Sequence, residues 1–228
     1  MNVAIIPARG GSKRIPYKNI RDFCGKPMIA WSIDSAIRSG LFDHVVVSTE
    51  DLKIAEIARN YGADVPFMRP AELSDDFTTT RPIINHAIKQ IESIYKKPDY
   101  VCCLYATAPF ATAQDLKDGF DMLVASDCEF VFTIAAFQAP VQRALKICQN
   151  GRVAMFNPEF RTTRSQDLEA AYHDAGQFYW GKTDAFLDNL SAFSNHSVPL
   201  VLPSYRVQDI DTQEDWIRAE KMFKIMDR

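Results

Sequence analysis

Residues 4–19 read AIIPARGGSKRIPYKN, an apolar run followed by two glycines and a cluster of basic side chains. Between residues 9 and 26 there are six Lys or Arg residues and one acid, Asp22, whereas the whole chain has a formal net charge of -3. The positive charge is therefore local. A local cluster indicates a pocket for a small polyanion, because nucleic-acid binding normally needs a basic face or domain.

The composition is that of one α/β domain. The chain has 228 residues, of which 47% are hydrophobic and 24% charged, enough to bury a substantial core. We expect a cytoplasmic protein without a membrane partner, because the start lacks a secretory leader and no apolar run approaches the roughly 20 residues of a membrane span. The five cysteines include no C-x-x-C pair, so free thiols are favoured over disulfides or zinc ligands.

Short β-rich runs alternate with helical patterns through the first half of the chain, which favours a parallel sheet with right-handed crossovers. We predict a three-layer Rossmann-like α/β fold in a single domain, residues 1–228, with an insertion at about 138–175. Expected strands lie at 2–7, 44–49, 63–67, 100–105, 129–137 and 176–181, with a further run at 197–203. Helices are expected at 27–39 and 51–61, from near Thr80, after a capping box at Thr112 and after another at Thr212.

The glycine-rich loop follows the first strand and precedes a helix. That arrangement presents backbone N–H groups to phosphate at the carboxyl end of a strand. The patterns G-x-x-x-x-G-K-[ST] and G-x-G-x-x-G are both absent, which removes the main support for kinase, GTPase and dehydrogenase functions. A loop of merely solvated lysines would explain two or three charges, but it explains this combination poorly.

The stretch ARGGSKRIPYKN resembles the signature A-R-x-x-S-K-x-x-x-x-K-N of the cytidylyltransferases that activate acidic nine-carbon sugars. The resemblance continues through FDHVVVSTED, RPAELSDD, LYATAPF and VQDIDTQEDW, and SQDLEAAYHDAGQFYWGK is most similar to the members that use pseudaminic acid. It implies transfer of CMP from CTP to the anomeric hydroxyl of that sugar with release of pyrophosphate. The alternatives are sialic or legionaminic acid as substrate, or a non-catalytic nucleotide-binding protein of the same fold. The hexose-1-phosphate nucleotidyltransferases share the fold, but their loop pattern, G-x-G-x-R with a distant P-K, is not matched.

The resemblance also implies roles for individual residues. Arg9, Lys18 and Asp211 are expected to be catalytic. The expected CTP-binding residues are Ala8, Arg9, Gly10, Gly11, Ser12, Lys13, Lys18, Asn19, Arg69 and Thr80, with the two glycine amides close to phosphate because neither residue carries a Cβ. Arg14, Arg21 and Lys26 are interpreted as outer charges or solvated residues. For Arg69 and Thr80 the alternatives are a surface residue and a helix N-cap.

Asp209 and Asp211 form a D-x-D pair whose carboxylates point to one side of an extended chain, with Ile210 turned to the core. Hard oxygen ligands beside substrate phosphates suit Mg²⁺. A lone D-x-D would favour helix capping, but together with the phosphate loop and the resemblance it predicts that both aspartates are metal ligands. Alternatively, Asp211 helps to cap the following helix.

Four residues are expected to bind the sugar: Tyr105, His173, Asp174 and Gln177. Tyr105 lies in LYATAP, where the sialic acid enzymes carry L-Q-P-T-S-P, and the tyrosine replaces a glutamine that the resemblance places against the sugar. For the other three, a purely structural role before a strand is the alternative. The resemblance further implies a homodimer built partly through residues 138–175.

Overall fold

The computed structural model describes residues 1–226. Its strands are β1 (Asn2–Pro7), β2 (Asp22–Phe23), β3 (Lys26–Pro27), β4 (His44–Ser48), β5 (Tyr100–Leu104), β6 (Phe130–Ala136), β7 (Leu145–Ile147), β8 (Val153–Met155), β9 (Tyr172–Lys182) and β10 (Ser197–Val201). Its helices are α1 (Met28–Ser39), α2 (Leu52–Asn60), α3 (Thr80–Ile94), α4 (Ala113–Ala125), α5 (Thr183–Leu187) and α6 (Gln213–Lys224). Among these residues, no helix combines the length and apolar character that crossing a bilayer requires.

Six of the strands form the central sheet in the order β10-β6-β9-β5-β1-β4. β1 pairs in parallel with both β4 and β5, and β6 pairs in parallel with β10. β9 alone runs antiparallel, to β5 on one side and to β6 on the other. The sheet is therefore mixed but mostly parallel, and the predicted Rossmann-like α/β class is confirmed.

Helices cover both faces of the sheet. On one face Ile33 of α1, Ile54 of α2 and Leu116 of α4 are buried with Cys102. On the other face Ile88 of α3 and Phe186 of α5 are buried in a cluster that includes Cys103. The adjacent cysteines thus point to opposite layers, as expected for a strand, and no disulfide occurs within residues 1–226.

Local sequence signals set the helix ends. Thr112 and Thr212 each accept a hydrogen bond from the backbone N–H three residues later, and Asp115 and Asp215 complete the two capping boxes. α1 ends at Gly40, whose φ of 65° is left-handed and favours glycine. The expected strands at 2–7, 44–49, 100–105 and 129–137, and the helices at 27–39 and 51–61, agree with the structure to within one residue at each end.

Two boundaries differ from expectation. The strand expected at 63–67 is reduced to one bridge, between Asp64 and Val46. β4, which contains Val46, is the edge strand of the sheet. β9 begins at Tyr172 and not at residue 176, so the last part of the 138–175 segment belongs to the central sheet. Gly176, with a φ of 61°, interrupts the pattern where the β6–β9 register shifts, and a β-bulge of this kind re-aims the residues beside it.

Candidate active site

The loop after β1 contacts the start of α2 through Gly10. A Cβ atom on Gly10 would lie 2.4 Å from Oδ2 of Asp51, the residue that caps α2, so a side chain there would displace the loop. The Gly10 N–H donates to Oε1 of Glu50 at 2.7 Å. A Cβ atom on Gly11 would meet nothing within 4 Å. Of the two amides expected near phosphate, the one at Gly10 is therefore bonded to a carboxylate.

Two cations of the loop share one aspartate. Nη1 of Arg9 donates to Oδ1 of Asp76 at 2.7 Å and to the Asp75 carbonyl at 2.9 Å. Lys13 forms an ion pair with the other carboxylate oxygen of Asp76. Both cations lower the pKa of Asp76, Lys13 most strongly. The segment around residues 75–76 thus lies against the basic loop, and one carboxylate serves two of its cations.

The other two cations share Asp211. Nζ of Lys18 donates to the Ile210 carbonyl at 2.6 Å and lies 3.3 Å from Oδ1 of Asp211. Arg14 pairs with Oδ2 of the same carboxylate at 2.8 Å. The sequence interpretation of Arg14 is an outer or solvated charge, and its side chain is 67% exposed, with the guanidinium at the rim of the cavity beside Asp211.

Ile210, between the two aspartates of the D-x-D pair, is 1% exposed, as predicted. Burial, followed by the charge of Asp211, raises the pKa of Asp209. Two such carboxylates are stabilised by a divalent cation, and Mg²⁺ takes one or two carboxylates and completes its shell with phosphate oxygens and water. No group of three or more His, Cys, Asp or Glu side chains with metal-ligand geometry occurs within residues 1–226. A Mg²⁺ ion held by this pair alone would have to complete its shell with oxygens from outside the protein. The cap of α6 is Thr212 and not Asp211.

These side chains surround a cavity of about 280 Å³ at the carboxyl end of β1. Its wall includes seven of the predicted CTP-binding residues, together with Arg14 and Asp211: Arg9, Ser12, Lys13, Lys18, Asn19, Arg69 and Thr80. Asn19 is nearly buried and its Nδ2 donates to the Arg9 carbonyl at 2.9 Å, which fixes the loop around the cavity. Ala8 is buried and its N–H bonds the Ser48 carbonyl, so it extends β1 beneath the site.

Arg69 is 3% exposed, so the alternative of a surface arginine is wrong. Its Nη2 donates to Oε2 of Glu50 at 2.7 Å and its Nε to the Ser74 hydroxyl at 3.0 Å. Glu50 therefore connects Arg69 to the Gly10 amide through its two oxygens. The result is a rigid floor beside the basic loop.

Tyr105 borders three adjoining cavities. The first is the 280 Å³ cavity, and the others measure about 440 Å³ and 650 Å³. Its hydroxyl lies 3.2 Å from Oγ1 of Thr80, the first residue of α3. Thr79 is the N-cap of that helix, so the alternative role for Thr80 is wrong. Burial raises the pKa of Tyr105, which keeps the phenol neutral and able to donate a hydrogen bond.

His173 and Asp174 line the 650 Å³ cavity together with Lys18 and Asp209. Asp174 accepts a hydrogen bond from the Tyr179 hydroxyl, and its Oδ1 accepts one from the Gly176 N–H at 2.9 Å. The β-bulge at Gly176 thus holds this carboxylate next to the cavity that also contains a predicted metal ligand.

Gln177 lies apart from the other predicted sugar-binding residues. It is 3% exposed, its Nε2 donates to the Arg206 carbonyl at 2.7 Å, and it lines none of the three cavities. It directly follows Gly176, and its side chain packs inside the fold on this side of the bulge.

Sequence reasoning missed two acids of the site, Glu50 and Asp76. Glu50 follows the end of β4, and Asp76 lies in the loop before α3. Each contacts a residue at least forty positions earlier in the chain. Asp76 stands in RPAELSDD, a stretch quoted above for its resemblance, but only the fold brings it to the basic loop. Its doublet with Asp75 was the available signal.

The family model described as "Cytidylyltransferase" matches residues 3–225. Pseudaminic acid cytidylyltransferase from Campylobacter jejuni subsp. jejuni serotype O:23/36 (strain 81-176) is 46% identical over 224 residues, which cover 98% of this chain and 97% of the relative. CMP-N,N'-diacetyllegionaminic acid synthase from Legionella pneumophila subsp. pneumophila (strain Philadelphia 1 / ATCC 33152 / DSM 7513) is 30% identical, with coverage of 98% and 96%.

Among solved structures, CMP:2-keto-3-deoxy-manno-octonic acid synthetase complexed with CTP superposes with a TM-score of 0.71. The match covers 98% of each chain at 15% sequence identity. At that identity the likeness concerns the fold.

Proposed function

Because the chain belongs to the cytidylyltransferase family, we propose that it transfers CMP from CTP to the anomeric hydroxyl of pseudaminic acid and releases pyrophosphate. The observation that carries this proposal is the position of Lys18. Its ammonium joins the glycine-rich loop to the 209–211 segment at the cavity wall, so one group can contact both a triphosphate and the aspartates beside it.

The triphosphate would bind across the two cation pairs of the loop. Arg9 and Lys13 line one part of the cavity, and Arg14 and Lys18 line another. CTP would replace Asp76 and Asp211 as their counter-ions, with Ser12 and the open amide of Gly11 as further donors. Arg69, Thr80 and Asn19, with Ala8 and Gly10 behind them, would face the ribose and cytosine.

Asp209 and Asp211 would hold the Mg²⁺ ion, which would supply positive charge to the phosphate oxygens when bound. The oxygen of the sugar hydroxyl forms a bond to the α-phosphorus, the bond from that phosphorus to the pyrophosphate oxygen breaks, and the hydroxyl proton passes to solvent. Lys18 and Arg9 would stabilise the charge that develops on the departing pyrophosphate, since fixed cations in a partly dry site act strongly on such charge.

The sugar would occupy the cavities on the far side of Tyr105, bordered by Asp174 and His173 in one and by an apolar wall in the other. Tyr105 is flat and largely apolar, and it offers one hydroxyl where glutamine offers two donors and an acceptor. It suits a deoxy sugar with a methyl group and two acylamino groups better than one with a glycerol tail. This favours pseudaminic acid over sialic acid. Gln177 would act indirectly, by supporting the bulge that carries Asp174.

The relatives support the same choice of sugar, because three named for pseudaminic acid are 39–46% identical whereas two legionaminic acid synthases are 30% and 34% identical. A non-catalytic nucleotide-binding protein of this fold would have no need of Asp209 beside Asp211 and Lys18. Sialic and legionaminic acids remain the competing substrates.

We also propose a cytoplasmic homodimer. In the β7–β8 hairpin, Leu145 pairs with Met155 and Ile147 with Val153, which gives one apolar face. Ile147 is 82% exposed and Val153 65% exposed. A second copy covering this face would remove the exposed apolar area from water. Light scattering of the unmodified protein and of Ile147→Lys tests this, and a monomeric unmodified protein would exclude it.

The decisive experiment measures pyrophosphate release with CTP, Mg²⁺ and a panel of nine-carbon sugar acids. We expect turnover with pseudaminic acid and much less with legionaminic and N-acetylneuraminic acids. Release with none of the acids would refute the proposed enzyme, and equal rates would refute only the choice of sugar.

A further inference from the structure

Arg81 is the second residue of α3, and its guanidinium crosses to the C-terminal end of α5. Nη2 donates to the Leu190 carbonyl at 2.7 Å, and Nη1 approaches the carbonyls of Ala185 at 3.4 Å and Phe186 at 3.3 Å. The group also lies over two aromatic rings, 4.8 Å from the centre of Phe186 and 5.2 Å from that of Phe130.

No carboxylate within residues 1–226 forms an ion pair with Arg81, although the other arginines of the site are paired with acids. Burial lowers the pKa of Arg81, but a guanidinium stays charged at neutral pH. Arg81 is half-buried, and a partly desolvated cation without a counter-ion is costly unless hydrogen-bond acceptors surround it. The guanidinium has five N–H donors, and it makes three contacts to carbonyl oxygens, two of them longer than 3.2 Å. Some of its N–H groups therefore remain able to donate to a ligand.

That capacity borders the 440 Å³ cavity. The wall consists mainly of apolar and aromatic side chains, with Arg81 as its one charged residue among the described lining residues. The 440 Å³ cavity shares Thr80 and Tyr105 with the 280 Å³ cavity. A substrate could therefore occupy both.

We propose that Arg81 is a specificity residue whose guanidinium donates a hydrogen bond to the carbonyl oxygen of an acylamino group of the nine-carbon sugar. This inference rests on the proposed function. An acylamino group is amphipathic, and the cavity matches both of its parts. Its methyl would contact the rings of Tyr179 and Phe193, and its oxygen would meet the one cation of the wall.

The sugar carboxylate is a less suitable occupant of this cavity. It is bonded to the anomeric carbon, so it must stay close to the reacting phosphorus. The polar 650 Å³ cavity, which contains Lys18, provides that environment. The alternative for Arg81 is a purely structural role, in which it only binds the carbonyls at the end of α5 and would not distinguish between sugars.

The test compares the unmodified protein with Arg81→Met and Arg81→Lys. Each is assayed with three acids: the diacylamino sugar, the same sugar with hydroxyls in place of the acylamino groups, and the same sugar with free amines. A charged hydrogen bond of this kind contributes about 10- to 100-fold in affinity. We expect Arg81→Met to lose about that factor in kcat/KM with the diacylamino sugar, with an unchanged KM for CTP and little change for the hydroxyl analogue.

Arg59→Met is the matched control, because Nη2 of Arg59 also donates to a backbone carbonyl, that of Val65 at 3.0 Å, and Arg59 lines none of the three cavities. It should leave sugar selectivity unchanged. Arg81→Lys keeps the charge and should recover part of the lost kcat/KM.

The unmodified protein provides a result that does not depend on the folding of any variant. Free amines are cationic and would be repelled by Arg81. The kcat/KM of the diamino sugar should therefore be lower than that of the hydroxyl analogue, and both should be lower than that of the diacylamino sugar. Equal use of amine and acylamino sugars, or an equal loss for all three sugars in Arg81→Met, would overturn the assignment while leaving the enzymatic function intact. Absence of turnover with every nine-carbon acid would instead refute the proposed function.

Discussion

Lys18→Ala tests whether the basic loop stabilises charge during the reaction. The Lys18 side chain is 19% exposed, and its ammonium contacts the Ile210 carbonyl at 2.6 Å and Asp211 at 3.3 Å. Loss of one electrostatic donor from an active site lowers kcat by about 10²- to 10³-fold, or about 3–4 kcal/mol. We expect a loss of that size in kcat measured by pyrophosphate release with CTP, Mg²⁺ and pseudaminic acid.

The fold should survive this change. Lys18 belongs to a loop, and its contacts to the 209–211 segment amount to one charged hydrogen bond and one partly exposed ion pair. These contribute about 1–2 kcal/mol to the free energy of unfolding, which corresponds to a Tm lower by about 2–8 °C for a chain of this size. Thermal unfolding monitored by circular dichroism measures this contribution separately from turnover.

Two variants sharpen the result. Lys18→Met retains most of the aliphatic stem and removes the charge, so it should lose as much turnover as Lys18→Ala. Lys182→Ala removes a lysine that is also ion-paired, to Glu129 at 2.9 Å, but lies away from the three cavities of the site. It should keep full activity. Turnover of Lys18→Met within twofold of the unmodified protein would refute the reasoning.

Three further variants address other parts of the site. Asp211→Asn should raise the Mg²⁺ concentration needed for half-maximal activity at least tenfold, while CTP affinity measured without metal changes little; full activity at low Mg²⁺ would show that Asp211 is no ligand. Tyr105→Gln should erode the preference in kcat/KM for pseudaminic over N-acetylneuraminic acid, whereas a loss of Tm without altered selectivity would mean that Tyr105 only packs. Gly10→Ala should weaken CTP binding by about tenfold or more, because its Cβ would lie 2.4 Å from Asp51 and displace the loop; unchanged titration calorimetry with CTP would contradict a close loop–helix contact.

The elements that the sequence predicted well are those with local signals. Apolar periodicity gave α1 and α3, glycine gave the end of α1, and the spacing of Thr and Asp gave the caps of α4 and α6. The early start of β9 could not be predicted, because Gly176 resembles a strand breaker and its role as a bulge depends on pairing with β6. The 63–67 strand failed because a short β-rich run needs a neighbouring strand, and only Asp64 has one.

The charged residues of the site could be predicted from the sequence, but the ion pairs between them could not. The basic loop predicted a binding site for a polyanion, and most residues of the loop line one cavity. The pairing of Arg14 with Asp211, and of Arg9 with Asp76, joins segments far apart in sequence. No local pattern encodes such contacts, and the same is true of the carbonyl contacts of Arg81.

The place of β9 in the sheet determines when the sheet can be completed during synthesis. β5 and β6 are complete after residue 136, but both await β9, which joins them and ends at Lys182. Until then, β5 lacks one of its two neighbours and β6 lacks both. Such delayed, long-range pairing slows folding and leaves aggregation-prone edges exposed. A nascent chain that stalls, or is truncated, before residue 182 would therefore be a natural client for chaperones that bind unpaired strands.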